Sequence, residues 1–374
     1  VIIDQMIAPV PGGIGRYTEE LTRELIATAP RGCDVVGIVS ASPESSYEKV
    51  RELLPGLADL YKSALDRRSL TTAWQHGFTR LPGQGMLHST SMMAPLHKHD
   101  RLNNRGDQVV ITIHDTVPWS NPETLTPHGV SWHKAMAKRA ERYADAVVVP
   151  THAVAEQLSE IIDFGERIRV IGGAVSSKLA VPLDGDARAD ALELPAEYVL
   201  AVGTLEPRKG LERLIRAMAH PDAPDLPLLI AGPEGWGRVN VADLAEASGL
   251  AKDRIRALGY LTDSDLAVVM DRATVFVYPS LAEGFGLPVL EAMHLGTPVV
   301  HTDVPALMEV AADAGLVVEL EEEDSFVARL ALAIRSTVDD NALAERLAYA
   351  GLDRSHAFSW RGSAEKVWAL HADL

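Results

Sequence analysis

The runs "VVITI" (residues 109–113) and "DAVVVP" (145–150) are apolar and β-branched, with no alternation between polar and apolar side chains. A strand with one wet face alternates, whereas a strand covered on both faces reads as a continuous apolar run. Similar short runs lie at residues 1–4, 35–39, 86–89, 109–114, 146–149 and 168–171. A second series lies at 198–202, 228–231, 255–258, 275–278, 298–301 and 316–318. Longer stretches with helical spacing separate them, such as "RYTEELTRELIATA", "RLIRAMAH" and "EDSFVARLALAIRST". Strand, helix, strand, repeated, predicts an α/β chain whose parallel sheets are covered by helices on both faces.

The rhythm breaks once, at "SSKLAVPLDGDARADALELPAE", which is rich in Pro, Asp and Ala and has little apolar periodicity. It is read as a linker. A chain of 374 residues fits two domains at roughly 100–200 residues each. The predicted division is residues 1–178, a linker at 179–196, a second domain at 197–355 and a closing helical segment at 356–374. The two domains are expected to be doubly wound and to face a shared cleft. In such sheets ligands lie beyond the C-terminal ends of the strands.

The net charge of −17 argues against non-specific nucleic-acid binding, which needs cations to release counterions. Basic islands stand out on this acidic chain. Lys62, Arg67, Arg68, Arg80 and Lys98 face a single acid, Asp66, between residues 61 and 99, and Lys134, Lys138, Arg139 and Arg142 surround Glu141. The stretch 61–80 also holds Trp74 and Phe78, which suggests docking on an anionic membrane or a lipid-linked acceptor; a solvated surface is the plainer reading. The lone cysteine, Cys33, fits a reducing compartment. The opening "VIID" reads as a strand rather than a leader, so a cytoplasmic location is expected, at or near the inner face of the cell membrane.

Four stretches that follow predicted strands carry the chemistry. In "PVPGGIGRYTEEL", Gly12 and Gly13 precede a helix expected to begin near Arg16, and free N–H groups there favour an anion. The alternative is a glycine-rich turn with no ligand. In "LAVGTLEPRKGLERLI", Arg208 and Lys209 are placed to clamp a diphosphate, or else are ordinary helix-flanking charges. In "SLAEGFGLPVLEAMHLG", Glu283 precedes a glycine loop and Glu291 is expected in the first turn of the next helix, where the dipole favours an acid. His114 and Asp115 end a buried run; such a His is more often structural, and Asp115 either orients it or caps the next turn. The acids of "DGD" (184–186) and "TDSDL" (262–266) have no His or Cys at ligand spacing and are read as structural, so no metal site is expected.

Together these residues resemble the retaining GT-B glycosyltransferases of family 4, across nearly the whole chain, from "GGIGRYTEEL" through "VGTLEPRKGL" and "EGFGLPVLEA" to "FSW". The Glu-x7-Glu pair, Glu283 and Glu291, is the specific part, and with "EPRKG" it is similar to the branch of bacterial surface-polysaccharide mannosyltransferases. The resemblance implies transfer of a hexose from a nucleoside-diphosphate sugar to a glycan or lipid-linked acceptor, with retention of configuration and with neither metal nor cofactor. GDP-mannose is the favoured donor, and a UDP- or dTDP-sugar the next. It implies that Gly12 and Gly13 approach the donor phosphates, that Arg208 and Lys209 neutralise the diphosphate, and that His114 touches the donor sugar. Glu283 would hold sugar hydroxyls with the backbone of Phe285, Gly286 and Leu287. Glu291 would take the ribose, and Tyr260 and Leu261 would seat the base. One departure is Thr204, where many members carry Arg. The final segment, with Trp360 and Trp368, would cross back to the first domain and permit hinge closure. A nucleotide-sugar epimerase or binding protein of the same fold is the rival reading. A dinucleotide-dependent dehydrogenase is disfavoured, because "PGGIGRY" lacks the third glycine of the fingerprint.

Overall fold

A computed structural model describes the chain except for residues 10, 80–84, 101–102, 104–105, 234–239 and 321–322. The chain divides into two compact units, Val1–Gly173 with Ser359–Leu374, and Ala174–Phe358. Every strand ladder among the described residues is parallel.

The first unit contains β1 (Val36–Ala41), β2 (Asp59–Asp66), β3 (Met86–Ser89), β4 (Gln108–Thr112), β5 (Ala146–Val149) and β6 (Ile168–Val170). The order β3-β4-β5-β6 forms one sheet and β1-β2 a second ladder. Single bridges from Ile2 to Ile38 and to Ser89 join them. The run at residues 1–4 was expected to be a strand, but pairing stops at Ile2 and a 3-10 turn, Asp4–Ile7, follows. The cause is Asp4, which is 1% exposed. Its Oδ1 accepts the Ser40 amide at 2.6 Å and its Oδ2 pairs with Arg67. A buried carboxylate needs such partners, and the backbone bends to supply them.

The strand β2 was missed. Its sequence, DLYKSALD, lies at a sheet edge with alternately exposed residues, so it lacks the apolar run of a central strand. The helix after the glycine cluster begins at Gly12 rather than near Arg16, so the glycines lie in its first turn. Gly15 is obligatory there, because a Cβ would stand 2.4 Å from the Pro11 Cβ. The closing helix, Trp360–Asp373, is capped by Ser359 and belongs to this unit. The Trp360 ring meets Tyr17 edge-on at 5.3 Å, and Trp368 Nε1 donates to the Leu25 carbonyl at 3.2 Å.

The second unit contains β7 (Val199–Val202), β8 (Leu228–Ala231), β9 (Ile255–Gly259), β10 (Val275–Tyr278), β11 (Val299–Thr302) and β12 (Leu316–Val318). The order is β12-β11-β10-β7-β8-β9. The strands β7, β8, β10 and β11 are buried almost throughout, with separate apolar clusters on the two faces, one around Leu214, Ile230 and Phe326 and one around Tyr198, Phe276 and Val289. The chain reverses its direction of growth between β7 and β10, which creates the crevice where α/β sheets bind ligands.

The stretch expected as a linker is largely folded. The unit boundary falls at Gly173–Ala174, and much of 179–196 is folded into the second unit. A helix, Gly185–Ala191, packs there against the helix Asp263–Asp271. Arg188 bonds Asp184 at 2.9 Å and Asp265 at 2.7 Å, and Arg272 pairs with Asp186. The acids at 184, 186 and 265 hold structure, through arginines from elsewhere in the fold or from the next turn.

Candidate active site

The β7 and β10 loops lie side by side. After β7, Pro207–Lys209 form a 3-10 turn closed by Gly210 at φ +65°. A Cβ on Gly210 would stand 2.1 Å from the Pro279 carbonyl oxygen, so glycine lets the two loops touch. The Leu281 amide then donates to the Arg208 carbonyl at 2.9 Å. This contact places the side chains of one loop over those of the other.

Glu283 sits at the centre, with 9% of its side chain exposed. Its Oε1 accepts from Lys209 Nζ at 2.6 Å, from the Ser280 hydroxyl at 2.6 Å and from the Tyr278 hydroxyl at 2.9 Å. Lys209 Nζ also donates to the Tyr278 oxygen at 2.8 Å. Arg208 Nη1 lies 3.2 Å from Glu283 Oε2 and donates to the Ala282 carbonyl at 2.8 Å, while its Nη2 bonds Glu206 Oε1 at 2.7 Å. Burial by itself would raise the Glu283 pKa, but the Lys209 and Arg208 charges and the bonds from Lys209 and Ser280 hold it down at about 2. Burial lowers the Lys209 pKa despite Glu283. Burial, then the Glu283 charge, keeps the Tyr278 hydroxyl protonated well above its ordinary range.

Downstream of Glu283, Gly286 at φ +93° caps the helix Leu287–His294. A Cβ there would meet Leu307 Cδ2 at 2.4 Å, so the helix N-terminus and its amides depend on glycine. Phe285 packs edge-on against Phe358 at 5.6 Å. Glu291 is the fifth residue of the helix, beyond the expected first turn, and is 3% exposed. Thr204 follows the end of β7 and is half-buried. Tyr260 and Leu261 follow β9, two strands from β7, with Tyr260 79% exposed.

The first unit carries the other expected residues. His114 Nε2 lies 2.8 Å from the Thr90 carbonyl oxygen, and its ring meets Tyr17 edge-on at 4.8 Å. A carbonyl only accepts, so Nε2 carries the proton and Nδ1 is an acceptor. Burial lowers the His114 pKa and keeps the ring neutral at neutral pH. Asp115 Oδ1 accepts the Val117 amide at 3.1 Å, so of its two expected roles it caps the turn. At Gly12 and Gly13, apart from the chain neighbours and the helix's own backbone, no described atom lies within 4 Å of an added Cβ.

Of the basic, aromatic stretch 61–80, Trp74 is core at 1% exposure and Arg67 is spent on Asp4 and Gln5. Arg68 and Phe78 remain at the surface, and Arg80 lies outside the described residues. Asp184 and Asp265 are held by Arg188, and Thr262 caps its helix, as structural residues do.

Sequence reasoning missed Tyr278, Ser280 and Glu206. The available signal was position: Tyr278 ends an apolar strand and Ser280 begins the loop beyond it, where a polar side chain faces the crevice at the sheet's reversal.

The profile described as "Glycosyltransferase Family 4" matches residues 11–178, and that of "Glycosyl transferases group 1" matches residues 186–354. The chain is 32% identical to the O-antigen chain mannosyltransferase B of Escherichia coli, over 69% of this chain and 68% of that one. It is 31% identical to the serotype-specific mannosyltransferase WbdA of Escherichia coli over 69% of this chain, but spans only 32% of that protein. Its backbone matches Anabaena HepE, solved with UDP and glucose, at a TM-score of 0.74 and 18% identity, covering 100% of this chain and 99% of that one.

Proposed function

The chain belongs to family 4 of the glycosyltransferases and has their GT-B fold, and from that premise we propose that it transfers a hexose, mannose favoured, from a nucleoside-diphosphate sugar to a glycan or lipid-linked acceptor in surface-polysaccharide or glycolipid synthesis, with retention at the anomeric carbon. The observation that carries this reading is the knot of Arg208, Lys209 and Glu283 at the crevice between β7 and β10. Breaking a glycosidic bond to a diphosphate builds negative charge on the leaving group. Arg208 and Lys209 neutralise it, aided by the amides at the start of the helix Leu287–His294, from Phe285 to Leu287.

Glu283 and Glu291 act by positioning. A carboxylate with a pKa near 2 is a poor base at neutral pH, so Glu283 accepts hydrogen bonds from sugar hydroxyls rather than taking a proton. Glu291 takes the ribose hydroxyls, and Tyr260 and Leu261 flank the base. In the first unit, His114 offers Nδ1 to a hydroxyl, and the open faces of Gly12 and Gly13 suit phosphate oxygens. Mannose and a guanosine donor are favoured because the relatives with over 30% identity named above are called mannosyltransferases. The UDP in the distant neighbour makes the uridine donors the second choice.

Among the described residues no helix is long and apolar enough to cross a membrane. Peripheral contact with an anionic bilayer would rest on Arg68 and Phe78, two of the exposed residues of the basic stretch. Unchanged liposome sedimentation of the Arg68→Gln, Phe78→Ser double variant would argue against it.

A thermal-shift screen of GDP-, UDP- and dTDP-sugars tests the donor, since a ligand at 100 Kd stabilises by about 2.7 kcal/mol. Donor consumption with and without a glycan acceptor separates transfer from epimerisation. Consumption that ignores the acceptor, or stabilisation by none of the donors, overturns the proposal.

A further inference from the structure

We propose that Glu283 and Glu206 are resident counter-ions of the diphosphate site, and that the donor must exchange places with Glu283 on Lys209 before Glu283 Oε1 can engage the sugar. This inference rests on the donor reading given above. The two cations of the site are each matched by an acid: Lys209 faces Glu283 at 2.6 Å, and Arg208 bonds Glu206 at 2.7 Å and lies 3.2 Å from Glu283. A site built only to receive an anion would present its cations unpaired. Here two positive charges meet two negative ones, and an incoming diphosphate competes with carboxylates already in place.

Hydrogen-bond capacity sets the order of events. Glu283 Oε1 accepts from Lys209, Ser280 and Tyr278 at once. Three donors already crowd this one oxygen, so it takes on a sugar hydroxyl only in exchange for one of them. Ser280 is wholly buried and Tyr278 is 2% exposed, and both are fixed by the loop and the strand that carry them. Lys209 is the donor on a flexible four-carbon stem. Lys209 therefore swings from Oε1 to a phosphate oxygen, and the vacated position accepts a hydroxyl. Ser280 and Tyr278 hold the carboxylate still throughout. Contact of the sugar with Oε1 becomes contingent on the diphosphate, which disfavours free hexose and hexoses lacking that leaving group.

Calorimetric titration of the full chain with GDP and with UDP, neither carrying a sugar, tests the exchange. Glu283→Gln keeps the shape of the side chain and removes its charge. It should tighten nucleoside-diphosphate binding about tenfold, a change of about 1.4 kcal/mol, while donor turnover falls. Glu206→Gln should tighten binding in the same direction, and it serves if the first variant does not fold. Free mannose should bind the wild type measurably only in the presence of saturating nucleoside diphosphate. Equal or weaker nucleoside-diphosphate binding in folded Glu283→Gln and Glu206→Gln, or equal mannose binding with and without the nucleotide, overturns the exchange alone. Binding of neither nucleotide to any of the proteins overturns both the exchange and the donor reading beneath it.

Discussion

The Lys209 ammonium and the Glu283 carboxylate meet at 2.6 Å although 74 positions separate them in the chain. The meeting follows from the reversal of strand order: β7 and β10 are neighbours, so the loops leaving them emerge together. The Gly210 approach to Pro279 then fixes their spacing.

Removing either partner should stop transfer. Lys209→Ala and Glu283→Ala are each expected to reduce turnover at least ~100-fold, the scale lost with one group that stabilises a transition state. Steady-state rates with the donor chosen by thermal shift give the check. A variant within threefold of wild type would take that residue out of the mechanism.

Acid stability should report the same carboxylate. Glu283 has a folded pKa of about 2 against an ordinary value of 4.5, so the unfolded chain binds its proton more readily. Its contribution is complete above pH 4.5 and is lost as pH falls through about 2, with a size of roughly 3 kcal/mol. Urea midpoints at pH 7 and pH 3 should differ more for wild type than for Glu283→Gln. Equal pH dependence in the two proteins would contradict the paired geometry.

Tyr278→Phe keeps the buried ring and removes one hydroxyl that accepts from Lys209 and donates to Glu283. We expect turnover to fall about three- to tenfold, the worth of about 1 kcal/mol of hydrogen bonding, with little change in melting temperature. A large loss of stability with normal turnover would make the hydroxyl purely structural.

Gly286→Ala should be destabilising and should impair the site. The φ of +93° strains any Cβ, and the methyl group would lie 2.4 Å from Leu307 Cδ2, a wholly buried side chain. A cost of about 1–3 kcal/mol is expected for such backbone strain, readable as a lower melting temperature. A melting curve that superimposes on wild type would show that the loop tolerates a side chain.

Several central strands were legible because burial on both faces removes alternation. The runs at 146–149, 228–231 and 275–278 coincide with β5, β8 and β10. The edge strand β2 was illegible for the opposite reason, since water on its outer side leaves Lys62 and Asp66 in the pattern. Composition misled at 179–196, where a Pro-, Asp- and Ala-rich stretch without apolar periodicity holds the helix Gly185–Ala191, packed against Asp263–Asp271. It misled again at Trp74, whose neighbouring arginines suggested a surface while its helical position turned it into the core.

The sequence by itself determined the class of fold, because uninterrupted apolar runs alternating with amphipathic helices bury themselves only as covered parallel sheets. It also identified Arg208, Lys209 and Glu283 as chemically able residues at strand ends. Only the tertiary structure decided that they touch, that Tyr278, Ser280 and Glu206 join them, and that each cation already has an acid as its partner. Strand order and the approach of two loops are long-range properties. Local propensity carries no information on them, and the charge balance of the site depends on both.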